Sequence, residues 1–190
     1  MKIVLKSIAI ISLLIVYGEL ALCQIPTRII SGKVMINDGS LIPKQEKYAL
    51  ITDSLKKQLE ANPNDTTSLF YRALLLDCFN EQLAKPAPTE KGALENLQRA
   101  ANLIDKAISL KMQDFKLKVL RAQVYKDLAY RFGGDESYKF TVKQINERRV
   151  LFNTYKEKAN KLYNELAEID KDNAYDYQKL KVNYDYPIKP

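Results

Sequence analysis

Side-chain catalysis usually begins with a proton carrier, and this chain contains no histidine. The commonest general base, the usual activator of Ser and Cys nucleophiles and the most used metal ligand are therefore missing together. The cysteines, Cys23 and Cys78, offer no spacing that would ligate a transition metal. Asp170-Lys171-Asp172-Asn173 has the acidic start of a calcium loop without its glycine or its distant glutamate, and reads as a turn with a helix cap. Gly133-Gly134-Asp135 is followed by no Lys-Ser/Thr pair and makes no phosphate cradle. Carboxylates are scattered, with none singled out by its neighbours. A hydrolase or lyase working with carboxylates alone is the weakest of three readings, to be revived by a deep pocket holding two close carboxylates. The expectation is a non-catalytic chain with no cofactor and no metal.

Binding chemistry is better represented. Tyr71, Arg72, Arg121 and Tyr125 are residue types that carry much of the energy at protein interfaces. They are the candidate contacts to a protein or peptide partner. The competing assignment puts both tyrosines in the core and both arginines at caps or in solvent. Net charge is +7, from 30 basic and 23 acidic side chains. The two signs are interspersed, as in Lys56-Lys57-Gln58-Leu59-Glu60, so no nucleic-acid surface is expected.

The elements that would position these residues follow an export signal. Lys2 and Lys6 precede the apolar run Ile8–Val16, which is too short to span a bilayer comfortably, and Ala21-Leu22-Cys23 offers small residues before a break at Gln24. Residues 1–23 are expected to be a signal peptide, and the mature protein periplasmic or secreted. Leu20-Ala21-Leu22-Cys23 also resembles a bacterial lipobox, with Leu22 where that pattern has a small residue. The resemblance implies lipidation at Cys23, an outer-membrane lipoprotein, and a lipid-anchored structural or accessory subunit of an envelope complex. Membrane contact is expected only in that case. Cleavage before Gln24 leaves Cys78 alone, so no disulfide can form within the mature chain. Cys78 lies in Leu74-Leu75-Leu76-Asp77-Cys78-Phe79 and reads as a small buried hydrophobe.

Residues 24–45 form a leader. Arg28–Ile36 is β-branched, and Asn37-Asp38-Gly39 supplies turn chemistry before Leu41-Ile42-Pro43. The run SGKVMINDGSLIP resembles the opening of the carboxypeptidase-regulatory-like β-sandwich over about a hairpin's length. The simpler expectation is an extended leader dressing the first helix. From Glu46 the apolar period becomes helical. Tyr48, Ile51, Leu55 and Leu59 mark one helix, closed by Asn62-Pro63-Asn64-Asp65. Leu69, Ala73, Leu76 and Phe79 mark a second, ending before Lys85-Pro86-Ala87-Pro88. A third opens at the Thr89 cap and carries Leu94, Leu97, Ala101, Ile104, Ala107 and Ile108. Leu117, Leu120, Val124, Leu128 and Phe132 mark a fourth, which Gly133-Gly134 stops. Tyr138–Ile169 is one long helix, or two collinear ones kinked near Asn153. Its seam of Ile145, Phe152, Tyr155, Ala159, Leu162, Leu166 and Ile169 is broken by Arg148. A short helix from about Asn173 to Val182 precedes an extended tail, 184–190.

Arg72-Ala73 follows Asp65 by seven residues, Arg121-Ala122 follows Asp114 by seven, and Lys179-Leu180 follows Asp172 by seven. Leu69-Phe70-Tyr71-Arg72-Ala73-Leu74 resembles the first helix of a tetratricopeptide repeat, and Ala100, Ile104, Ala107 and Ile108-Ser109-Leu110 its second. Arg121-Ala122 and Tyr125, joined to Ala159, Tyr163 and Leu166–Asp170, resemble a further pair. The resemblance implies a mainly α fold of antiparallel helix-pair repeats across 46–183 that binds a protein segment. Pro86–Gly92 and Gly133–Arg149 are insertions between the paired helices. Small Ala73, Ala100, Ala107, Ala122 and Ala159 would allow the helices to approach closely.

Overall fold

The computed structural model describes residues 25–80, 91–134 and 137–187. The expected signal peptide, Cys23, the expected break at Lys85-Pro86-Ala87-Pro88 and the expected Thr89 cap lie outside the described residues. Among those described, a two-stranded antiparallel sheet, β1 (Thr27–Ile30) and β2 (Lys33–Ile36), precedes six α-helices: α1 (Ala49–Ala61), α2 (Thr66–Cys78), α3 (Lys91–Ser109), α4 (Phe115–Phe132), α5 (Val142–Ile169) and α6 (Ala174–Leu180). The fold is mainly helical. Consecutive helices pack as neighbours, most extensively α2 on α3 and α4 on α5. None of the described helices is long and apolar enough to cross a membrane.

Local chemistry fixes the helix ends. Asp65 accepts from the Ser68 amide, Asp114 from the Lys116 amide, and Thr141 and Gln144 form a reciprocal capping box. At the end of α3, Lys111 takes a left-handed φ of 63° while the Met112 amide reaches back to the Ala107 carbonyl at 3.1 Å. A lysine thus holds a position usually given to glycine. Gly133 follows the last residue of α4 as expected, but with φ −81°, so it stops the helix without a left-handed turn.

The helix stripes face a shared core. Ala73, Ala100, Ala107, Ala122 and Ala159 are fully enclosed there, where a larger side chain would force the helices apart. The long fifth helix is continuous from Val142 to Ile169. Its seam is buried at Phe152, Ala159 and Leu166 and half-buried at Tyr155 and Leu162, whereas Ile169 is exposed. Arg148 interrupts the seam for a reason. Its guanidinium donates to the Arg131 and Phe132 carbonyls at 2.9 and 3.3 Å, capping the end of α4, and lies 4.4 Å from the Phe140 ring.

Of the two forms expected for the leader, extended or β-hairpin, the structure has the hairpin. Its turn falls at Ser31-Gly32, both with positive φ, and not at Asn37-Asp38-Gly39. Such a two-residue turn matches the twist of the flanking strands. The hairpin packs on α2 and α4 in place of dressing the first helix. Val34 and Ile36 point into the core, while Ile30 and Met35 face out. A Cβ on Gly32 would sit 3.0 Å from Leu180 and 3.1 Å from the Tyr177 ring, so the turn closes against α6. Helix α4 also covers both strand edges. Lys116 donates to the Thr27 carbonyl at 3.1 Å beside β1, and Gln123 accepts from the Val34 amide at 3.1 Å beside β2.

Candidate functional site

Burial of Leu69, Ala73 and Leu76 on α2 sets the phase that turns Arg72 toward α3. Burial of Leu97, Ala100 and Ile104 likewise leaves Arg99, Leu103 and Lys106 along its flank. Lys56 and Leu59 of α1 close the other side. These side chains line an open groove of about 420 Å³ that also includes Glu60 and Asn102. Arg72 is half-buried. Burial, and then the positive charge of Arg99, push its pKa below the ordinary value, with Asp53 opposing. Among the described residues neither Arg72 nor Arg99 is hydrogen-bonded or ion-paired. Two like charges therefore share a concave, partly desolvated space floored by Leu59 and Leu103.

The other three candidate contacts are placed differently. Arg121 pairs with Asp105 of α3 at 2.9 Å, and Tyr125 donates to the same carboxylate at 3.1 Å. The Arg121 guanidinium also lies over the Tyr125 ring at 5.7 Å, and Tyr125 stacks on Tyr155 at 6.0 Å. These two residues join α3, α4 and α5, Tyr125 buried and Arg121 one-third exposed on a groove between α4 and α5. Tyr71 packs edge-on to Phe70 with ring centroids 5.2 Å apart, against the core. The structure brings Arg121 and Tyr125 together and leaves Arg72 in a separate groove with Arg99, a residue the sequence did not single out.

A second concavity was also not foreseen. Between β2 and the helices lies a cavity of about 390 Å³ whose lining includes Asp77, Gln123, Asp127 and Arg131. Gln123 accepts from Val34 and donates to Asp77 Oδ2 at 2.6 Å, tying hairpin, α4 and α2 together inside the core. With its amide turned to suit both neighbours, Asn80 donates to the Ala93 carbonyl at 2.9 Å and accepts from Arg131 at 3.1 Å. An Asp inside Leu74–Phe79 and a Gln between Ala122 and Val124 were the signals available in the sequence. They were readable as a buried polar pair, but not as partners of one another.

Two carboxylates in one cavity are what a carboxylate hydrolase would need. A substrate would find Asp77 Oδ2 occupied by Gln123 and Oδ1 enclosed without a partner. Burial first, then the charge of Asp127, hold the Asp77 carboxyl well above the usual carboxylate range, against Gln123, Lys33 and Lys126. Cys78 alongside is pushed up to about 12, chiefly by burial and by Asp77, which keeps it a protonated thiol at neutral pH. The raised Asp77 value has a consequence for stability. The folded state holds a proton that the unfolded chain releases near the ordinary 3.8, so this residue's contribution falls as pH rises from there through its native value. Asp77→Asn is therefore expected to be more stable than wild type at neutral pH, with the gap widening from about pH 4 upward. Urea unfolding across pH checks this, and a parallel pair of curves would contradict it.

The acidic turn at 170–173 is structural. Asp170 accepts from Asn173 at 2.9 Å and from the Tyr177 hydroxyl at 2.8 Å, fixing the start of α6. The chain matches no known family model, no curated protein and no solved structure.

Proposed function

We propose that this is an exported, non-catalytic interaction module of tetratricopeptide-like helix pairs, and that it holds an acidic segment of a protein partner in the groove between α1, α2 and α3. One observation carries this reading: Arg72 and Arg99, half-buried and exposed respectively, face one groove with no carboxylate bonded to either among the described residues. Like charges held together in a partly dry concavity cost free energy that an anionic ligand recovers on binding. Leu59 and Leu103 give an apolar strip on which such a segment's aliphatic side chains would rest. The helix pairs supply the rigid frame, and their enclosed alanines fix its spacing.

The test is affinity capture from envelope extract with wild-type protein and with the Arg72→Glu/Arg99→Glu variant, in low and high salt. A partner retained by wild type, released by salt and lost with the variant supports the reading. Equal capture by both proteins contradicts it.

The export part of the proposal rests on Lys2, Lys6, the Ile8–Val16 run and Ala21-Leu22-Cys23. Mass spectrometry of the N-terminus of the processed protein is expected to give Gln24, free or cyclised. Diacylglycerol on Cys23 would instead make the chain a lipid-anchored subunit. An intact Met1 would remove the export reading altogether.

A further inference from the structure

The most exposed aliphatic pair in the described structure is not a loose tip. Leu41 is 97% exposed and Ile42 68% exposed, side by side in the loop that follows β2. That loop is fastened on both sides of the pair. Asp38 accepts from the Ser40 amide at 3.0 Å and from the Ser40 hydroxyl, from Lys47 at 2.8 Å, and from the buried Tyr48 hydroxyl at 2.6 Å. Pro43 stiffens the backbone immediately after the pair. Lys47, Ser40 and Tyr48 hold the Asp38 carboxyl far below the usual range, so mild acid does not release the loop. Leu41 and Ile42 border the cavity beside β2, and the anchor holds their exposed surfaces outward as a place of contact.

Two further observations say what the contact is. Across residues 25–48 the basic Arg28, Lys33 and Lys44 stand against Glu46 alone, Lys47 and Asp38 being paired with each other. The outward side of the hairpin adds partly exposed Ile30 and Met35 beside these cations. Basic side chains around protruding aliphatic ones match an anionic lipid surface, where the apolar groups enter the headgroup boundary.

We infer that the 39–44 loop is a membrane-docking element, inserting Leu41 and Ile42 into the interface of an anionic phospholipid bilayer. It is independent of the groove at Arg72, and it sets the end of the molecule nearest the hairpin on the membrane. Docking through two aliphatic side chains is weak alone and reversible.

The chain contains no tryptophan, so a single Trp reports its own position without background. Leu41→Trp in the full chain is expected to give a blue-shifted emission, quenched by bromine-labelled acyl chains, on phosphatidylglycerol vesicles. Tyr175→Trp, at an exposed position of α6, is expected to give neither change, whatever the N-terminus does. Leu41→Ser/Ile42→Ser in the Ile30→Trp background is expected to lower vesicle partitioning about tenfold. Leu41→Trp emission unchanged by vesicles overturns the inference. Equal insertion into purely zwitterionic vesicles overturns its anionic part, and equal quenching at Tyr175→Trp assigns the contact to the N-terminus alone and overturns the loop's role.

Discussion

Gln123→Leu is expected to destabilise the protein by about 2–4 kcal/mol and to release the hairpin before the helices. Leucine has a similar volume, so the loss comes from hydrogen bonding and hardly from a void. It leaves the Val34 amide and Asp77 Oδ2 buried without the partners they now share, at 3.1 and 2.6 Å. Asp77 Oδ1 is already unpartnered, so α2 would then carry a carboxyl bonded at neither oxygen. Val34 is fully enclosed, and no water reaches its amide in the folded state. A two-stranded sheet is marginal unless it packs on something. Here one glutamine and Lys116 cover its two edges. Urea unfolding measures the loss, and amide exchange at Val34 shows where it falls. Wild-type exchange at Val34 with wild-type stability would contradict the assigned role.

Arg72→Glu/Arg99→Glu carries the second large effect, and it is expected in binding and not in stability. Reversing both charges removes the two cations that face the groove and adds two groups that repel an acidic segment. Removing one partner of a buried charge pair costs about 2–5 kcal/mol; Arg99 is exposed, so a loss at the low end of that range, about thirtyfold in affinity, is expected. Stability is expected to change little. Burial first, and then the charge of Arg99, hold Arg72 below its ordinary pKa, with Asp53 opposing, and the two cations repel. The single Arg99→Glu variant puts an acid where that repulsion was, and is expected to match or slightly exceed wild-type stability while weakening binding. Residues kept against stability are a mark of function. A single variant that lost stability and binding together would assign Arg99 to the frame instead.

Helix periods in the sequence lay close to the observed elements because burial dominates them. The Leu97–Ile104–Ala107 stripe, the Asp65 and Asp114 caps and the alanines at helix contacts depend on neighbours within one or two turns. The hairpin turn at Ser31-Gly32 was not singled out in the sequence, where Asn37-Asp38-Gly39 has the stronger turn chemistry; that chemistry serves the loop after β2, where Asp38 organises Ser40, Lys47 and Tyr48. The choice between core and contact for Tyr71, Arg72, Arg121 and Tyr125 turned on partners far along the chain. Asp105 is 16 residues before Arg121 and on another helix, so nothing local announces that it occupies both Arg121 and Tyr125. Arg99 was hidden for the same reason: its importance is its nearness to Arg72. The Asp77–Gln123–Val34 tie joins three elements, and only the fold brings its members together.

The central claim, an acidic segment bound at Arg72 and Arg99, is met most directly by an NMR titration of the isotope-labelled protein with a synthetic peptide alternating glutamate and leucine. The account predicts saturable shifts centred on Lys56, Arg72, Arg99 and Lys106, weakened by salt and absent in Arg72→Glu/Arg99→Glu. Shifts confined to the hairpin cavity, or unchanged in the double variant, would contradict it.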